Sequence, residues 1–137
     1  MNPPSVTPAG TLVLDSEGLA KYVIRDREVV GWLAAAGARD IRVITSTATL
    51  VEVMHPQINQ AALNWALSRI VIEPVTEEVA RRAAALLRDA GLHGHKYAID
   101  AMLAATALAA PGPVTVLTSD PSDLIALCGK RLTAVKV

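Results

Sequence analysis

Residues 11–24 read TLVLDSEGLAKYVI, and this stretch indicates the type of fold to expect. Its first part is a short aliphatic and β-branched run, typical of a buried strand, and the run ends at Asp15. From Ser16 onward the apolar residues recur at the spacing of a helix. The stretch therefore predicts a strand that leads through an acidic residue into a helix.

A strand followed by a helix recurs along the rest of the chain. Further strands are predicted in IRVITS (41–46), PVTVLTSD (113–120) and LTAVKV (132–137), with helical patterns between them. The segment IVIEPV (70–75) is either a short strand or an extended approach to the long helix that follows it. Such alternation is typical of a mainly parallel sheet covered by helices on both faces. The sequence therefore predicts an α/β fold, with a single domain over residues 11–137 and a flexible, proline-bearing tail over residues 1–10.

The composition limits the classes of protein to consider. Thirteen basic and thirteen acidic residues give a net charge of zero, so any contact with nucleic acid must be local. No apolar run approaches the roughly 20 residues of a membrane span, and the N-terminus lacks the pattern of a signal peptide. We therefore expect a cytoplasmic protein without membrane contact. The single cysteine, Cys128, excludes an internal disulfide and is expected to be a small buried hydrophobe.

Acidic residues stand where a parallel sheet would bind a ligand. Asp15 and Asp120 end predicted strands, and ligands bind beyond the carboxyl ends of such strands. Glu52 is expected well inside the helix TATLVEVM, and Asp100 near the start of the helix AIDAMLAATALAA (98–110). An alternative role as a helix N-cap stays open for Asp15, Asp100 and Asp120. For Glu52 the alternative is a position on a solvated helix stripe.

Asp100 is the acid that most needs a partner. It shares a helix face with Leu103, Ala104 and Ala107, and this face should be buried. A lone buried carboxylate costs several kcal/mol or takes up a proton unless something pairs with it. Two carboxylates about 4 Å apart repel by roughly 4 kcal/mol at an effective dielectric constant near 20. A cluster of such acids therefore calls for a cation, and an all-oxygen site favours Mg²⁺ or Mn²⁺.

The order and context of these acids resemble a known family. The segments LVLDSEGL, TSTATLVEV, YAIDAMLAATAL and VLTSDPSDLIAL look like those of a PIN-domain ribonuclease of the VapC toxin type, from residue 11 to the C-terminus. The resemblance implies a three-layer α/β/α sandwich with a central, mainly parallel sheet. It also implies site residues: a catalytic quartet of Asp15, Glu52, Asp100 and Asp120, with Asp123 as a further metal ligand and Thr118 and Ser119 as supporting hydroxyls.

The resemblance further implies an activity and partners. The activity would be that of a metal-dependent endoribonuclease, in which Mg²⁺ or Mn²⁺ activates water and stabilises charge on the attacked phosphate of RNA. As a toxin, the protein would be inhibited by a cognate antitoxin and would form a homodimer. The apolar helices REVVGWLAAAGA and INQAALNWALSRIVI are expected to provide a self-association surface.

Some other residues are candidates for contacts with RNA or metal. Phosphate contacts would come from scattered basic residues: Lys21, Arg25, Arg27, Arg69 and Lys96. His93 and His95 could bind metal or RNA, or be solvated loop residues. Trp32 and Trp65 are interpreted as core or interface residues.

Three other functions compete with the toxin. The chain could be a PIN nuclease outside any toxin pair, or a catalytically inactive regulatory or binding module with an acidic pocket at the strand ends. A phosphoacceptor receiver domain, an example of such a module, fits LVLDSE only in part. A dinucleotide-binding domain fits less well, because no glycine-rich phosphate loop follows the first strand.

Overall fold

Five short apolar runs pair into one sheet. The computed structural model describes residues 10–137, so the tail predicted over 1–10 lies, apart from Gly10, outside the described residues. The strands are β1 (Thr11–Leu14), β2 (Arg42–Ser46), β3 (Val71–Glu73), β4 (Val114–Thr118) and β5 (Thr133–Lys136). They lie in the order β3-β2-β1-β4-β5, and each neighbouring pair is parallel. The predicted α/β fold with a mainly parallel sheet is confirmed.

The segments between the strands form helices. These are α1 (Ser16–Val23), α2 (Arg27–Ala38), α3 (Thr47–Glu52), α4 (Gln60–Ser68), α5 (Glu77–Ala90), α6 (Gly94–Ala109) and α7 (Pro121–Cys128), with a 3-10 turn at Gly129–Arg131. Most begin at a capping side chain; Asn59 and Thr76, for example, accept backbone N–H groups of α4 and α5. The α5 helix ends at Gly91, whose φ of 68° is left-handed. No helix among residues 10–137 is both long enough and apolar enough to span a membrane.

Hydrophobic side chains cover both faces of the sheet. On one face, Val13 and Val116 belong to a cluster that also includes residues of α5, α6 and α7. On the other face, Leu14 and Leu117 belong to a cluster that includes residues of α1, α2 and α4. The predicted three-layer α/β/α sandwich is therefore confirmed. Cys128 is buried in the first cluster, as expected of a small hydrophobe.

The topology brings several strand ends together at one edge. The chain passes from β1 to β2 and β3 on one side, and later to β4 and β5 on the other. All strands are parallel, so their carboxyl ends meet at the same edge, and the change of direction beside β1 leaves a crevice there. Asp15, Ser46 and Ser119 lie at or just beyond the ends of β1, β2 and β4.

Candidate active site

Asp15 lies between the end of β1 and the start of α1. One of its carboxylate oxygens accepts the Gly18 N–H at 2.8 Å and so caps α1, as the alternative interpretation of this residue expected. Its own N–H donates to the Leu117 carbonyl of β4 at 3.1 Å, which fixes the residue beside the neighbouring strand. Burial raises the pKa of Asp15 above its ordinary value, and the Gly18 N–H opposes this effect. Asp15 is therefore both a helix cap and a partly desolvated acid at the edge.

Thr118 connects the ends of β1 and β4. Its hydroxyl oxygen is buried and accepts the Asp120 N–H at 3.1 Å. Since that oxygen serves as the acceptor, the hydroxyl proton is left to be donated elsewhere. The Thr118 hydroxyl and the Ser119 N–H both lower the pKa of Asp15, against the effect of burial. Thr118 thus lies where a supporting hydroxyl was predicted, and Ser119 contributes through its backbone.

Asp120 caps α7 and is exposed. Its carboxylate accepts the Ser122 N–H at 3.2 Å and the Ser122 hydroxyl. The hydrogen bond from the Ser122 hydroxyl is the main reason that the pKa of Asp120 is lowered. The capping interpretation is confirmed here too, and the same hydrogen bonds keep Asp120 ionised at the rim of the crevice.

Asp100 is not at the start of its helix. The α6 helix begins at Gly94, and the N-cap position is His93, which makes no side-chain capping bond. The expectation that Asp100 lies at the start of this helix, and its alternative role as an N-cap, are therefore wrong, because the helix already begins six residues earlier. The prediction that its helix face is buried is confirmed by Leu103, Ala104 and Ala107: each is at most 3% exposed.

The environment of Asp100 opposes ionisation. Its pKa is raised from 3.8 to about 6, first by burial and then by four negative charges. In decreasing order these are Asp123, Glu52, Asp15 and Asp120. An acid that is half-buried among like charges is strongly biased toward binding a proton or a cation.

Glu52 lies elsewhere in its helix than predicted. It is the last residue of α3 and is exposed, whereas the sequence placed it well inside the helix. The helix ends early because Val53 is already the cap residue, with its N–H bonded to the Thr49 carbonyl. Its charge nevertheless raises the pKa values of both Asp15 and Asp100, so Glu52 lies within electrostatic range of both acids.

Asp123 completes the group. It lies in the first turn of α7, and burial raises its pKa, with Asp120 adding to the rise and Lys96 opposing it. We call the five acids the acidic edge: Asp15, Glu52, Asp100, Asp120 and Asp123. The charges of the other four act on Asp100, so the fold brings all five predicted acids into one region.

The donor chemistry of the acidic edge fits a divalent cation. Its side chains offer only carboxylate oxygens, which are the ligands that Mg²⁺ and Mn²⁺ prefer, and their like charges repel until a cation joins them. Within residues 10–137, no three or more His, Cys, Asp and Glu side chains are arranged closely enough to hold a metal ion as they stand. The acids thus share an electrostatic field without forming a finished coordination shell.

The sequence analysis missed two hydroxyl residues at this edge. Ser46, which ends β2 and caps α3, is fully buried, and its oxygen accepts the Ala48 N–H at 3.1 Å. Thr45 is also fully buried and donates to the Leu14 carbonyl at 2.6 Å, directly before Asp15. The signal that could have found Ser46 is a serine between a strand and a helix, which is typical of an N-cap.

The three predicted RNA-binding arginines lie away from the acidic edge. The Arg25 and Arg69 guanidinium carbons lie 4.5 and 5.7 Å from the centre of the Trp65 ring. With Arg27 they line a groove of about 820 Å³ between α1, α2 and α4. Because α1 begins directly after Asp15 and ends before Arg25, about 12 Å of helix separates the two residues.

The predicted tryptophans, histidines and Lys96 differ in their exposure and in their distance from the acidic edge. Trp32 packs against the core, while Trp65 is 37% exposed and contacts Tyr22, so core and interface roles are both represented. His93 and His95 are exposed, with ring centres 5.7 Å apart. Lys96 is the predicted phosphate contact that lies beside the acidic edge, since its charge acts on Asp123.

The PIN domain family model matches residues 12–124, which hold the acidic edge and most of the sheet. The chain belongs to the PIN domain family. The resemblance seen in the sequence is thereby confirmed. No curated protein matches the sequence.

Solved structures share the fold. VapBC2 from Rickettsia felis, bound to a DNA fragment from its promoter, has a TM-score of 0.71 and 18% identity over 93% of this chain and 98% of that chain. A toxin–antitoxin complex from Klebsiella pneumoniae has a TM-score of 0.65 and 22% identity over 92% and 99%. FitAcB from Neisseria gonorrhoeae has a TM-score of 0.57 and 22% identity over 90% and 95%. This PIN domain therefore has the VapC-type fold over almost its whole length.

Proposed function

We propose that the protein is a metal-dependent endoribonuclease that hydrolyses RNA phosphodiester bonds at the acidic edge. The observation that carries this proposal is Asp100, a half-buried acid whose pKa is raised to about 6 by burial and by the four other acids of the edge. A carboxylate in that position is costly for folding alone, and a bound cation would remove the cost. Membership of the PIN family supports a nuclease over a receiver or dinucleotide-binding domain.

The chain's own residues have distinct tasks in this proposal. Asp15, Asp100 and Asp120 would hold Mg²⁺ or Mn²⁺, with Glu52 and Asp123 as further ligands. Such an ion, when bound, supplies Lewis-acid activation of water and of the attacked phosphate. Ser122 keeps Asp120 ionised, and the Thr118 hydroxyl favours ionised Asp15. An acid left outside the metal shell could take a proton from water.

RNA cleavage by matched variants tests the nuclease activity. The wild-type protein should cut an internally labelled RNA with Mg²⁺ or Mn²⁺ and stop when EDTA is added. Asp100→Asn should abolish cutting while keeping the wild-type circular dichroism spectrum. Asp89→Asn is the control, because Asp89 is an exposed acid on α5 whose nearest cationic partner is Arg88 at 3.6 Å. Full cleavage by Asp100→Asn, or by the wild type in EDTA, would overturn the proposal, and no cleavage by any form would favour the inactive module.

We further propose that this nuclease is the toxin of a toxin–antitoxin pair. The support is the fold, which the chain shares with VapBC2 and with a toxin–antitoxin complex. Induction of the wild-type gene in a bacterial host should arrest growth, and Asp100→Asn should not. Co-expression of the protein encoded immediately upstream should restore growth. Normal growth with an active nuclease would instead indicate a PIN enzyme outside any toxin pair.

The surface of α2 and α4 supports both a homodimer and an antitoxin as partners. Val30 is 38% exposed and Trp65 is 37% exposed, and both line the groove described above, so apolar area remains uncovered in the single chain. An antitoxin arginine offered to the acidic edge would substitute for the charge of the metal. Light scattering at micromolar concentration should give twice the chain mass of 14.4 kDa. A monodisperse monomer would refute the homodimer and leave the nuclease proposal standing.

A further inference from the structure

Lys96 is a cation at the border of a cluster of acids. It lies in the first turn of α6 and is exposed. Asp100 follows it by four residues, so the two side chains share one face of the helix. The Lys96 ammonium nitrogen is 5.2 Å from the centre of the Tyr97 ring, which holds the charge near the helix surface.

Helix packing places Lys96 beside a second helix that carries acids. The α6 and α7 helices are in contact, and α7 carries Asp123 in its first turn. The Lys96 charge lowers the pKa of Asp123, although burial and Asp120 raise that pKa by more. Lys96 thus lies close enough to the first turn of α7 for its charge to act on an acid there.

The Lys96 ammonium group forms no ion pair with another described residue. Across residues 10–137 the ion pairs within 4.0 Å are Arg42–Glu73, Arg81–Glu77, Arg82–Glu78 and Arg88–Asp89. None includes Lys96, although its charge acts on Asp123. Its three N–H donors are therefore free to bind an incoming anion.

RNA meets an electrostatic obstacle at the acidic edge. A phosphodiester carries a negative charge and must approach five carboxylates, and a single divalent ion does not neutralise them all. Arg25, Arg27 and Arg69 line the groove at the far end of α1 and are too distant to help. Lys96 is on the same helix as Asp100, where a cation would offset this repulsion.

We propose that Lys96 binds a non-bridging phosphate oxygen of single-stranded RNA at the acidic edge and so positions the strand for cleavage. The inference rests on the proposed nuclease function and adds a substrate-binding residue to it. A lysine acts here as a point charge, so it contacts phosphate without reading the base sequence. Arginine at this position would keep the contact, and glutamine would remove it.

RNA binding without cleavage tests the contact. In the Asp100→Asn background, a fluorescent single-stranded RNA is titrated in EDTA and its anisotropy is recorded at several salt concentrations. Adding Lys96→Gln should weaken binding about three- to five-fold, the range of one exposed ion pair. It should also reduce the slope of log K against log salt by about 0.7, the value for one phosphate contact on a single strand. Lys96→Arg should restore both.

Lys130→Gln is the matched control, because Lys130 is an exposed lysine in the turn after α7, at the helix end opposite to Asp123. In the otherwise wild-type enzyme, Lys96→Gln should raise KM for RNA and leave kcat within about two-fold, because a contact made equally in the ground and transition states changes only binding. Equal RNA affinity and salt slope for the Lys96→Gln and Lys130→Gln proteins would overturn the role of Lys96 alone. Absence of RNA binding by every protein would overturn this role, whereas the cleavage assay with Mg²⁺ or Mn²⁺ tests the proposed function separately.

Discussion

Replacing Asp100 by asparagine should stabilise the folded protein at neutral pH when no divalent ion is present. The substitution keeps the shape of the side chain and removes a charge that burial and four neighbouring acids oppose. In the folded state the pKa of Asp100 is raised above its unfolded value. Asp100 therefore contributes most favourably to stability below pH 3.8, and this contribution is lost as the pH rises to about 6.

The size of the effect follows from the pKa. A rise from 3.8 to about 6 corresponds to about 3 kcal/mol of cost for the ionised form, at about 1.36 kcal/mol per pKa unit. Solvent reaches part of the side chain, and screening reduces this cost to about 1.5 kcal/mol. In a domain of 137 residues, that amount raises Tm by about 5 °C. At pH 4.5 the gain should fall to about a third, because folded Asp100 is then protonated.

Urea unfolding in EDTA at pH 7.5 and at pH 4.5 measures both values. Asp89→Asn, on the exposed side of α5, controls for the loss of a charge and should change the free energy of unfolding by less than about 0.5 kcal/mol. The reasoning would be refuted if Asp100→Asn were less stable than the wild type at pH 7.5. A gain of the same size at both pH values would equally refute it, because the charge of Asp100 could not then be its cause.

Substitutions at four further positions test local geometry, three of them at the edge and Gly31 as a control. Asp15→Asn should be about 1 kcal/mol more stable than Asp15→Ala in urea unfolding, because asparagine can still cap α1 through the Gly18 N–H; equal stabilities would contradict the cap. Gly18→Ala should cost about 2 kcal/mol, since its Cβ would lie 2.9 Å from the Leu117 carbonyl oxygen. Gly31→Ala, with open space around the added carbon, should instead be neutral or stabilising, and similar losses for both glycines would refute the close approach. Ser122→Ala should raise the pKa of Asp120 toward its ordinary value in an NMR titration, and an unchanged pKa would show that the Ser122 hydroxyl is not its cause.

Strand and helix types were predictable because each element carries a complete local signal. The α2 helix, Arg27–Ala38, coincides with the REVVGWLAAAGA pattern, and the β4 strand lies inside PVTVLTSD. The ends of two helices were not predictable in the same way. The α3 helix ends at Glu52 although the apolar pattern continues through Met54, and α6 starts at Gly94 inside a segment whose glycines indicate a loop. In both helices the backbone hydrogen bonds set the boundary, the end of α3 and the start of α6, at a residue that the composition did not indicate.

The candidate site was predictable as a set of acids and not as a geometry. The positions of Asp15 and Asp120 after predicted strands indicated that both lie at the site. A helix cap and a site residue were treated as alternatives for these acids. In the structure each acid caps a helix and also acts on the pKa of Asp100. The positions of basic residues depended on tertiary structure. Arg25 is close to Asp15 in sequence, yet the two lie at opposite ends of α1. The packing of α6 on α7 instead brings the Lys96 charge within range of Asp123.

Direct titration of Mn²⁺ into the protein by calorimetry tests the central claim, that the acids of this edge form one divalent-cation site. The wild-type protein, first freed of metal with EDTA and dialysed, should bind Mn²⁺ with release of protons near pH 6, where Asp100 is half protonated. Asp89→Asn should bind as the wild type does, and Asp100→Asn should bind at least ten-fold more weakly, without that proton release. Equal binding by the Asp100→Asn and wild-type proteins, or no binding by the wild type, would contradict the account.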